Sequence, residues 1–363
     1  MSASNQAEAP SVPVTARFRN EIERAFQRRV KGIDYLTAPE PPVGMTPKHV
    51  LHRRGTQRVV HYLPQSDEVY PIPVLLIMAP SNHGYGMDML PGQSLVEFLL
   101  KAGFDVYLLD WLPPGADEAK LTFDHYVLNF IPDAIERVLK DTGQSRISVV
   151  GYCAAGVMAA CYAALAPVGG PLANFVAFTT PIDFQHLTLH RNLADPNYFD
   201  VDLFVDVNGN IPGEAFLMGA SMLRPVTRIV DRIKLWDNMW NEEYVTQFRR
   251  FDRWASDTLP MPGGYMRQLV KELLVENRLI KGEFVLGRQR VHLANIKVPV
   301  LHVVAEHDHM VPREASKPLI EMVGSSDKEE MVLKGGHLSV VTGPNASRRM
   351  WPKLEAWLGS RSE

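Results

Sequence analysis

The chain has 363 residues, with 38 Lys and Arg residues against 41 Asp and Glu residues and a formal net charge of −3. A chain of this length can bury a large core, and its balanced charge provides no basic field for binding nucleic acid. Two cysteines, Cys153 and Cys161, are too few for a disulfide framework and indicate a reducing compartment. The N-terminus lacks the charged and then apolar plan of a signal peptide, and nowhere do about 18 apolar residues run together. We therefore expect a cytoplasmic protein without a transmembrane segment.

The N-terminal region divides into two segments of different composition. Residues 1–14 are rich in Ser, Ala and Pro, which predicts disorder. Residues 15–40 predict an amphipathic helix followed by a linker, because apolar residues recur there at every fourth position. These residues are Phe18, Ile22, Phe26 and Val30. The stripe can pack on the edge of a domain, or it can dock on a partner or an apolar particle, and the sequence leaves both alternatives open.

Strand-like and helix-like segments alternate through residues 41–180 and again through residues 299–363. Alternating apolar residues on both sides of Gly55 predict a pair of strands. The predicted buried strands are VLLIMA (74–79), DVYLLDW (105–111), RISVVG (146–151), NFVAFTT (174–180) and VPVLHVVAEHD (298–308), with a short strand near EEMVLK. Helices are predicted from about Ser94, from Asp124 to Lys140, from Ala154, after Pro312 and at the C-terminal WPKLEAWL. This alternation predicts an α/β fold, with a mainly parallel sheet covered by helices on both faces.

The alternation stops between these two segments. Residues 181–298 are helical in pattern and rich in aromatic residues, as in LWDNMWNEEYVTQFRRFDRW. An interruption late in an α/β series predicts a helical cap inserted over the edge of the sheet. We therefore expect a core made of residues 41–180 and 299–363 and a cap made of residues 181–298.

Three residues that follow predicted strands carry the chemistry of a nucleophilic site. Cys153 follows ISVVGY, Asp308 follows VLHVVAEH and His337 lies in GGHLSVVTG. Ligands bind at the carboxyl ends of parallel strands, and the order nucleophile, acid, histidine is that of an α/β-hydrolase triad. A free thiol has a pKa of about 8.5 and needs a base, which His337 would supply while Asp308 fixes its tautomer. A cysteine beside a strand can also be a small buried hydrophobe, which is our interpretation of Cys161.

The turn that presents Cys153 also predicts an oxyanion hole. One donor would be the backbone N–H of Ala154 at the start of a helix, and the second would come from APSNHGYG, near Ser81 or Asn82. The usual G-x-S-x-G turn is here Gly151-Tyr-Cys-Ala-Ala-Gly156. Neither a phosphate-binding glycine motif nor a cluster of residues with metal-ligand spacing is present, so no metal and no bound nucleotide cofactor is expected.

The sequence resembles the polyhydroxyalkanoate synthases, in particular the short catalytic subunit that works with a companion subunit. The segments that carry the resemblance are GMTPKHVLHRRGTQRVVHYLP, SLVEFLLKAGFDVYLLDWLPP, GYCAAG, GNIPGEAF, the long stretch from FDRWASD to AEHDHMVP, and GGHLSVVTG. The family's elbow usually continues Cys-x-Gly-Gly, whereas this chain has Cys153-Ala154-Ala155-Gly156. In this chain the loop after the first buried strand also differs from the corresponding loop of the family around His83 and Gly84.

The resemblance implies an α/β-hydrolase fold and an acyltransferase. In that family the cysteine accepts a 3-hydroxyacyl group from coenzyme A, and a chain hydroxyl then attacks it to lengthen a polyester. It implies Cys153 as acyl acceptor, His337 as general base and Asp308 as its partner, with the coenzyme A thioester as substrate rather than cofactor. Implied partners are a companion subunit and the surface of a polyester granule, in a homodimer or hetero-oligomer. The residues leave two alternatives open: a thioesterase or polyester hydrolase, and a catalytically idle granule-binding homologue.

Overall fold

The structure is a computed structural model that describes residues 14–223 and 225–362. It divides into two compact units, a small one made of residues 1–41 and 224–252 and a large one made of residues 42–223 and 253–363. The segment predicted to be disordered, residues 1–14, lies outside the described residues except for Val14, which begins the first helix. Among the described residues, no helix is both long and apolar enough to cross a membrane.

Within the described residues, the large unit is built on an eight-stranded sheet whose order is β1-β2-β4-β3-β5-β6-β11-β12. In chain order the strands are β1 (Lys48–Arg54), β2 (Gln57–Tyr62), β3 (Val74–Ile77), β4 (Val106–Trp111), β5 (Ile147–Tyr152), β6 (Leu172–Phe178), β7 (Asn210–Ile211), β8 (Met261–Pro262), β9 (Val285–Leu286), β10 (Gln289–Arg290), β11 (Val300–Ala305) and β12 (Lys328–Leu333). The hairpin β1–β2 turns at Gly55, and β2 joins β4 antiparallel. All other neighbours in this sheet are parallel, which confirms the predicted mainly parallel sheet.

Helices lie between the strands as the sequence predicts. They are α1 (Val14–Thr37), α2 (Leu95–Lys101), α3 (Phe123–His125), α4 (Ile131–Thr142), α5 (Ala154–Leu165), α6 (Thr188–Leu193), α7 (Val201–Asn208), α8 (Gly213–Leu223), α9 (Pro225–Asp237), α10 (Glu242–Ser256), α11 (Gly263–Gln268), α12 (Arg313–Ser316), α13 (Pro318–Met322) and α14 (Trp351–Gly359). The start predicted near Ser94 is correct, because the Ser94 hydroxyl accepts a hydrogen bond from the Glu97 amide at 3.0 Å and caps α2. A π-helical stretch, Tyr126–Phe130, joins α3 to α4.

The central strands are buried on both faces. Every residue of β3, β5, β6 and β11 is buried, as expected for parallel strands covered by helices on both sides. Successive residues of β3 contribute to opposite cores: Leu75 and Ile77 to one, Val74 and Leu76 to the other. The strands from which the loops at the carboxyl edge extend are therefore packed against a core on each face.

The part of the predicted cap that belongs to the large unit is helical, with two short strand pairs. The pairs are β7 with β8 and β9 with β10, both antiparallel. Val201, Val205 and Ile211 form a small apolar core of their own with Val270. The boundaries assigned to the core and the cap stay a prediction.

The small unit is formed by α1, α9 and most of α10. Gly32 lies against Trp236, since a Cβ added at Gly32 would stand 3.3 Å from that ring, and Lys31 pairs with Glu242. Ile22 and Phe26 of the predicted apolar stripe are 57% and 61% exposed. Val30 is 41% exposed, and the side chain of Phe18 lies outside those that the structure describes. The predicted function of the stripe as a docking surface remains open.

Candidate active site

Cys153 occupies the turn between the end of β5 and the start of α5. Its backbone has φ 55° and ψ −120°, a conformation that costs a non-glycine residue roughly 1–3 kcal/mol. The turn is held on both sides: the Cys153 amide donates to the Phe178 carbonyl at 2.9 Å, and the Gly156 amide donates to the Cys153 carbonyl at 2.9 Å. This sharp strand-to-helix turn is the geometry of a nucleophile elbow, and it presents the thiol at the carboxyl edge of the sheet.

Two glycines make the elbow possible. A Cβ added at Gly151 would stand 2.7 Å from the Gly156 Cα, so strand and helix approach more closely here than side chains allow. A Cβ at Gly156 would overlap the Thr180 hydroxyl and stand 2.9 Å from Thr180 Cβ. Ala155 is fully buried, so its methyl group fits where the usual elbow motif has glycine. Positions 151 and 156 of this turn therefore require glycine, whereas position 155 accepts alanine.

The acid and the histidine follow β11 and β12 and meet at the same edge. His337 Nδ1 lies 2.6 Å from Asp308 Oδ2. The other carboxylate oxygen, Oδ1, accepts hydrogen bonds from the backbone amides of Met310 at 2.9 Å and Val311 at 2.8 Å. The Asp308 side chain is 1% exposed and that of His337 is 15% exposed. Asp308 is therefore fixed as a buried, fully hydrogen-bonded carboxylate that can orient the imidazole.

Cys153 interacts electrostatically with His337. Burial alone would lower the pKa of His337, but the charge of Cys153, hydrogen bonds to Asp308 and to Cys153, and the charge of Asp308 raise it to about 10. Burial, with the nearby charges of Cys153 and Asp308, raises the pKa of Tyr152 well above its ordinary value. The structure therefore brings the three predicted residues together at the carboxyl edge of the sheet. Their catalytic assignment stays a prediction.

The second cysteine lies in the core. Both cysteines are free, and Cys161 is fully buried on α5. Burial raises the pKa of the Cys161 thiol, so it stays neutral. Cys161 therefore serves as an internal reference for a cysteine that only packs.

The predicted oxyanion donors lie on adjacent loops. Ala154 is the first residue of α5, so its N–H has no carbonyl partner within the helix. Ser81 and Asn82 follow β3, which pairs with β5. The Asn82 amide donates to the Ala79 carbonyl at 3.0 Å and is already engaged, which favours the Ser81 amide as the second donor. All three residues remain predicted donors.

One titratable residue near the triad was not predicted from the sequence. Burial and the charge of His337 lower the pKa of His190, while Asp308 raises it, so His190 on α6 lies within electrostatic range of both. No strand end or motif marks His190, because it belongs to the inserted segment. Within residues 14–223 and 225–362, no group of three or more His, Cys, Asp or Glu side chains is arranged to hold a metal ion.

Comparison with known proteins places the chain in a family. The sequence model of the alpha/beta hydrolase fold matches residues 81–344. A poly(3-hydroxyalkanoate) polymerase subunit PhaC from Synechocystis sp. is 30% identical over 348 residues, which cover 94% of this chain and 92% of that protein. The chain belongs to the poly(3-hydroxyalkanoate) polymerase family. Another member, subunit PhaC of Haloferax mediterranei, is 33% identical over 90% of this chain, which spans 66% of that protein's length. The family's members are enzymes of the acyltransferase kind.

Solved structures support the same fold. A soluble variant of monoglyceride lipase from Saccharomyces cerevisiae superposes with a TM-score of 0.58 at 14% identity, covering 90% of this chain and all of that one. A carboxylesterase structure from Nitrososphaera gargenis gives a TM-score of 0.53 at 15% identity, covering 87% and 99% of the two chains. At these identities the likeness shows the α/β-hydrolase fold alone, which confirms the predicted fold class.

Proposed function

We propose that this chain is a poly(3-hydroxyalkanoate) polymerase that transfers 3-hydroxyacyl groups from coenzyme A to Cys153 and then to a growing polyester. The observation that carries the proposal is a cysteine on a strained elbow, beside a buried His337–Asp308 pair, in a chain of this polymerase family. The same elbow with a serine in place of Cys153 would be suited to ester hydrolysis. A thiolate forms a thioester, which keeps the acyl group activated for the next transfer.

In the first step the Cys153 thiolate attacks the thioester carbonyl, and backbone N–H groups at Ala154 and Ser81 stabilise the oxyanion. The C–S bond to coenzyme A then breaks, and the leaving thiolate takes the proton from His337. In the second step His337 accepts the proton of a chain-end hydroxyl, whose oxygen attacks the acyl-cysteine. The polyester gains one unit and the Cys153 thiolate is regenerated. The acyl group comes from the substrate itself, so the proposed chemistry uses no further cofactor.

We extend the proposal to partners and location. The relatives from Synechocystis sp. and Haloferax mediterranei are named as polymerase subunits, which supports a companion subunit for this chain. The chain would work as a homodimer, or as a hetero-oligomer with the companion subunit, at the surface of a cytoplasmic polyester granule. The exposed apolar stripe of α1 is one surface available for either contact.

The test is incubation of the purified chain with 3-hydroxybutyryl-CoA, with and without a candidate companion subunit, while free CoA and the acyl product are measured. Polymer supports the proposal. Release of free hydroxy acid would instead establish a thioesterase, and no CoA release under either condition would establish a catalytically idle homologue.

Cys153→Ala and Cys161→Ala form a matched pair of variants for this assay. Cys153→Ala is expected to abolish CoA release, whereas Cys161→Ala, in a fully buried position on the helix that follows Cys153, should keep most of it. An inactive Cys161 variant combined with an active Cys153 variant would refute the site assignment.

A further inference from the structure

The loop that carries Ser81 and Asn82 is bound to a segment of the inserted region. The Leu259 amide donates to the Ser81 carbonyl at 2.9 Å, and Asn82 pairs with Thr258 in an antiparallel bridge. The Trp254 indole N–H donates to the carbonyl of the next residue, His83, at 3.0 Å. The backbone of residues 81–83 is therefore held by residues 254–259, a segment far away in the sequence.

Asp257 lies at the centre of this contact. One of its carboxylate oxygens, Oδ2, accepts a hydrogen bond from the Tyr85 hydroxyl at 2.8 Å. The other, Oδ1, is 3.3 Å from His83 Nε2. The rings of His83 and Tyr85 stack with their centroids 5.6 Å apart and their planes 15° apart. A single carboxylate thus holds two side chains of the loop in one arrangement.

The opposite side of the loop is held by the core. The Gly84 amide donates to Asp110 Oδ1 at 2.8 Å, and Asp110 pairs with Arg58. A Cβ at Gly84 would stand 2.5 Å from a Leu108 methyl group, and a Cβ at the other loop glycine, Gly86, would stand 2.5 Å from the Trp254 indole nitrogen. The loop therefore lies pressed between the sheet and residues 254–259, with no room to shift toward either.

We propose that Asp257 is a positioning residue for acyl transfer, because it holds the loop of residues 81–87 and with it the second oxyanion donor. This inference rests on the proposed function. The Ser81 carbonyl accepts a hydrogen bond from the Leu259 amide. The orientation of the Ser81 backbone, including its N–H, therefore depends on the position of residues 254–259. The oxyanion hole is then complete only while this segment is seated on the loop, which couples the position of the inserted region to catalysis.

The test compares Asp257→Ala with Asp252→Ala. Asp252 is a matched control because it is close to Asp257 in the sequence and is a partly exposed carboxylate that pairs with a basic side chain, Arg232, at 3.1 Å. Loss of one oxyanion-hole donor typically lowers kcat by roughly 10²–10³. Because Asp257 only positions the donor, we expect Asp257→Ala to lower kcat for CoA release about 10–100-fold with little change in KM. Asp252→Ala is expected to leave kcat unchanged.

A second readout separates positioning from general damage. Alkylation of Cys153 by iodoacetamide forms no oxyanion, so its rate should be the same in the wild type and in Asp257→Ala. A parallel loss of alkylation and kcat would overturn the proposal, since it would mean that the thiol itself is disturbed. His83→Arg retains an N–H donor opposite Asp257 and should keep more activity than His83→Ala. Equal losses in these two variants would contradict the role of this contact.

A third readout does not depend on the substrate. Amide hydrogen exchange of the peptide that covers residues 81–87 should be faster in Asp257→Ala than in the wild type and in Asp252→Ala. If the wild type releases no CoA, the proposed function has failed, and this exchange decides the positioning claim by itself. Unchanged exchange, or an unchanged kcat in an active enzyme, would overturn the inference.

Discussion

Replacing Gly156 by Ala tests how the elbow is built. A Cβ at this position would overlap the Thr180 hydroxyl and stand 2.9 Å from Thr180 Cβ and 3.0 Å from Thr180 Cγ2, where carbon atoms prefer about 3.5–4.0 Å. Overpacking of this severity belongs at the upper end of the usual cost, about 3 kcal/mol. The higher helix propensity of alanine offsets at most about 1 kcal/mol of this cost. We therefore expect Gly156→Ala to lower the free energy of unfolding by about 2 kcal/mol.

The same strain should reach the chemistry. If the turn moves by about 1 Å to relieve the contact, the rate of CoA release falls about 10²-fold. Thermal unfolding and CoA release are measured for Gly156→Ala, for the double variant with Thr180→Gly, which removes the overlapping atoms, and for Gly219→Ala. No atom of the described residues lies within 4 Å of a Cβ built at Gly219 on α8, so its variant should be as stable as the wild type or more stable. A fully stable, fully active Gly156→Ala variant, or no recovery in the double variant, would refute this explanation of the turn.

Three further predictions concern the acid and the histidine. Asp308→Asn should lower CoA release roughly 10³–10⁴-fold in single-turnover measurements, because an amide facing Nδ1 favours the wrong tautomer of His337; a loss below tenfold would contradict that role. His337→Ala should slow iodoacetamide alkylation of Cys153 near pH 7, and an unchanged rate would refute activation by histidine. The raised pKa of His337, about 10 against an ordinary 6.5, means that the pair stabilises the fold fully below about pH 6.5 and progressively less as pH rises through 10. The difference in Tm between the wild type and His337→Gln should therefore shrink over that range, and a constant difference would contradict it.

The sheet could be predicted because its signals are local. VLLI, ISVVGY and VLHVVA are short apolar runs between turn residues, and burial on both faces requires such runs. The inserted segment was predicted only as helical. Its strand pairs, β7 with β8 and β9 with β10, have two residues in each strand, too short for a periodic pattern to appear.

The same distinction explains what could be predicted of the site. Cys153, Asp308 and His337 each follow a strand, so the parallel sheet brings them to one edge regardless of their separation in the chain. The glycine needed at 156 rather than 155 depends on contact with Thr180, a residue of another strand–loop unit, and no motif encodes it. Asp257 and His190 lie in the inserted segment and do not follow a strand of the main sheet. Their place in the sequence therefore does not predict where they lie relative to the site.

The contrast between site residues on the sheet edge and residues in the inserted segment bears on how one fold supports different reactions. In the proposed mechanism, once the acyl group is on Cys153, His337 and Asp308 would activate either water or a chain hydroxyl in the same way. What decides between hydrolysis and elongation is therefore which nucleophile reaches the acyl-cysteine. In the large unit, the inserted region makes direct contact with the catalytic edge through Asp257, Thr258 and Leu259, which bind the loop of residues 81–85. If, as we propose, this segment also holds the second oxyanion donor, it would link exclusion of water to catalytic competence. Substitutions at this contact should then alter the ratio of polymer to free hydroxy acid as well as the rate.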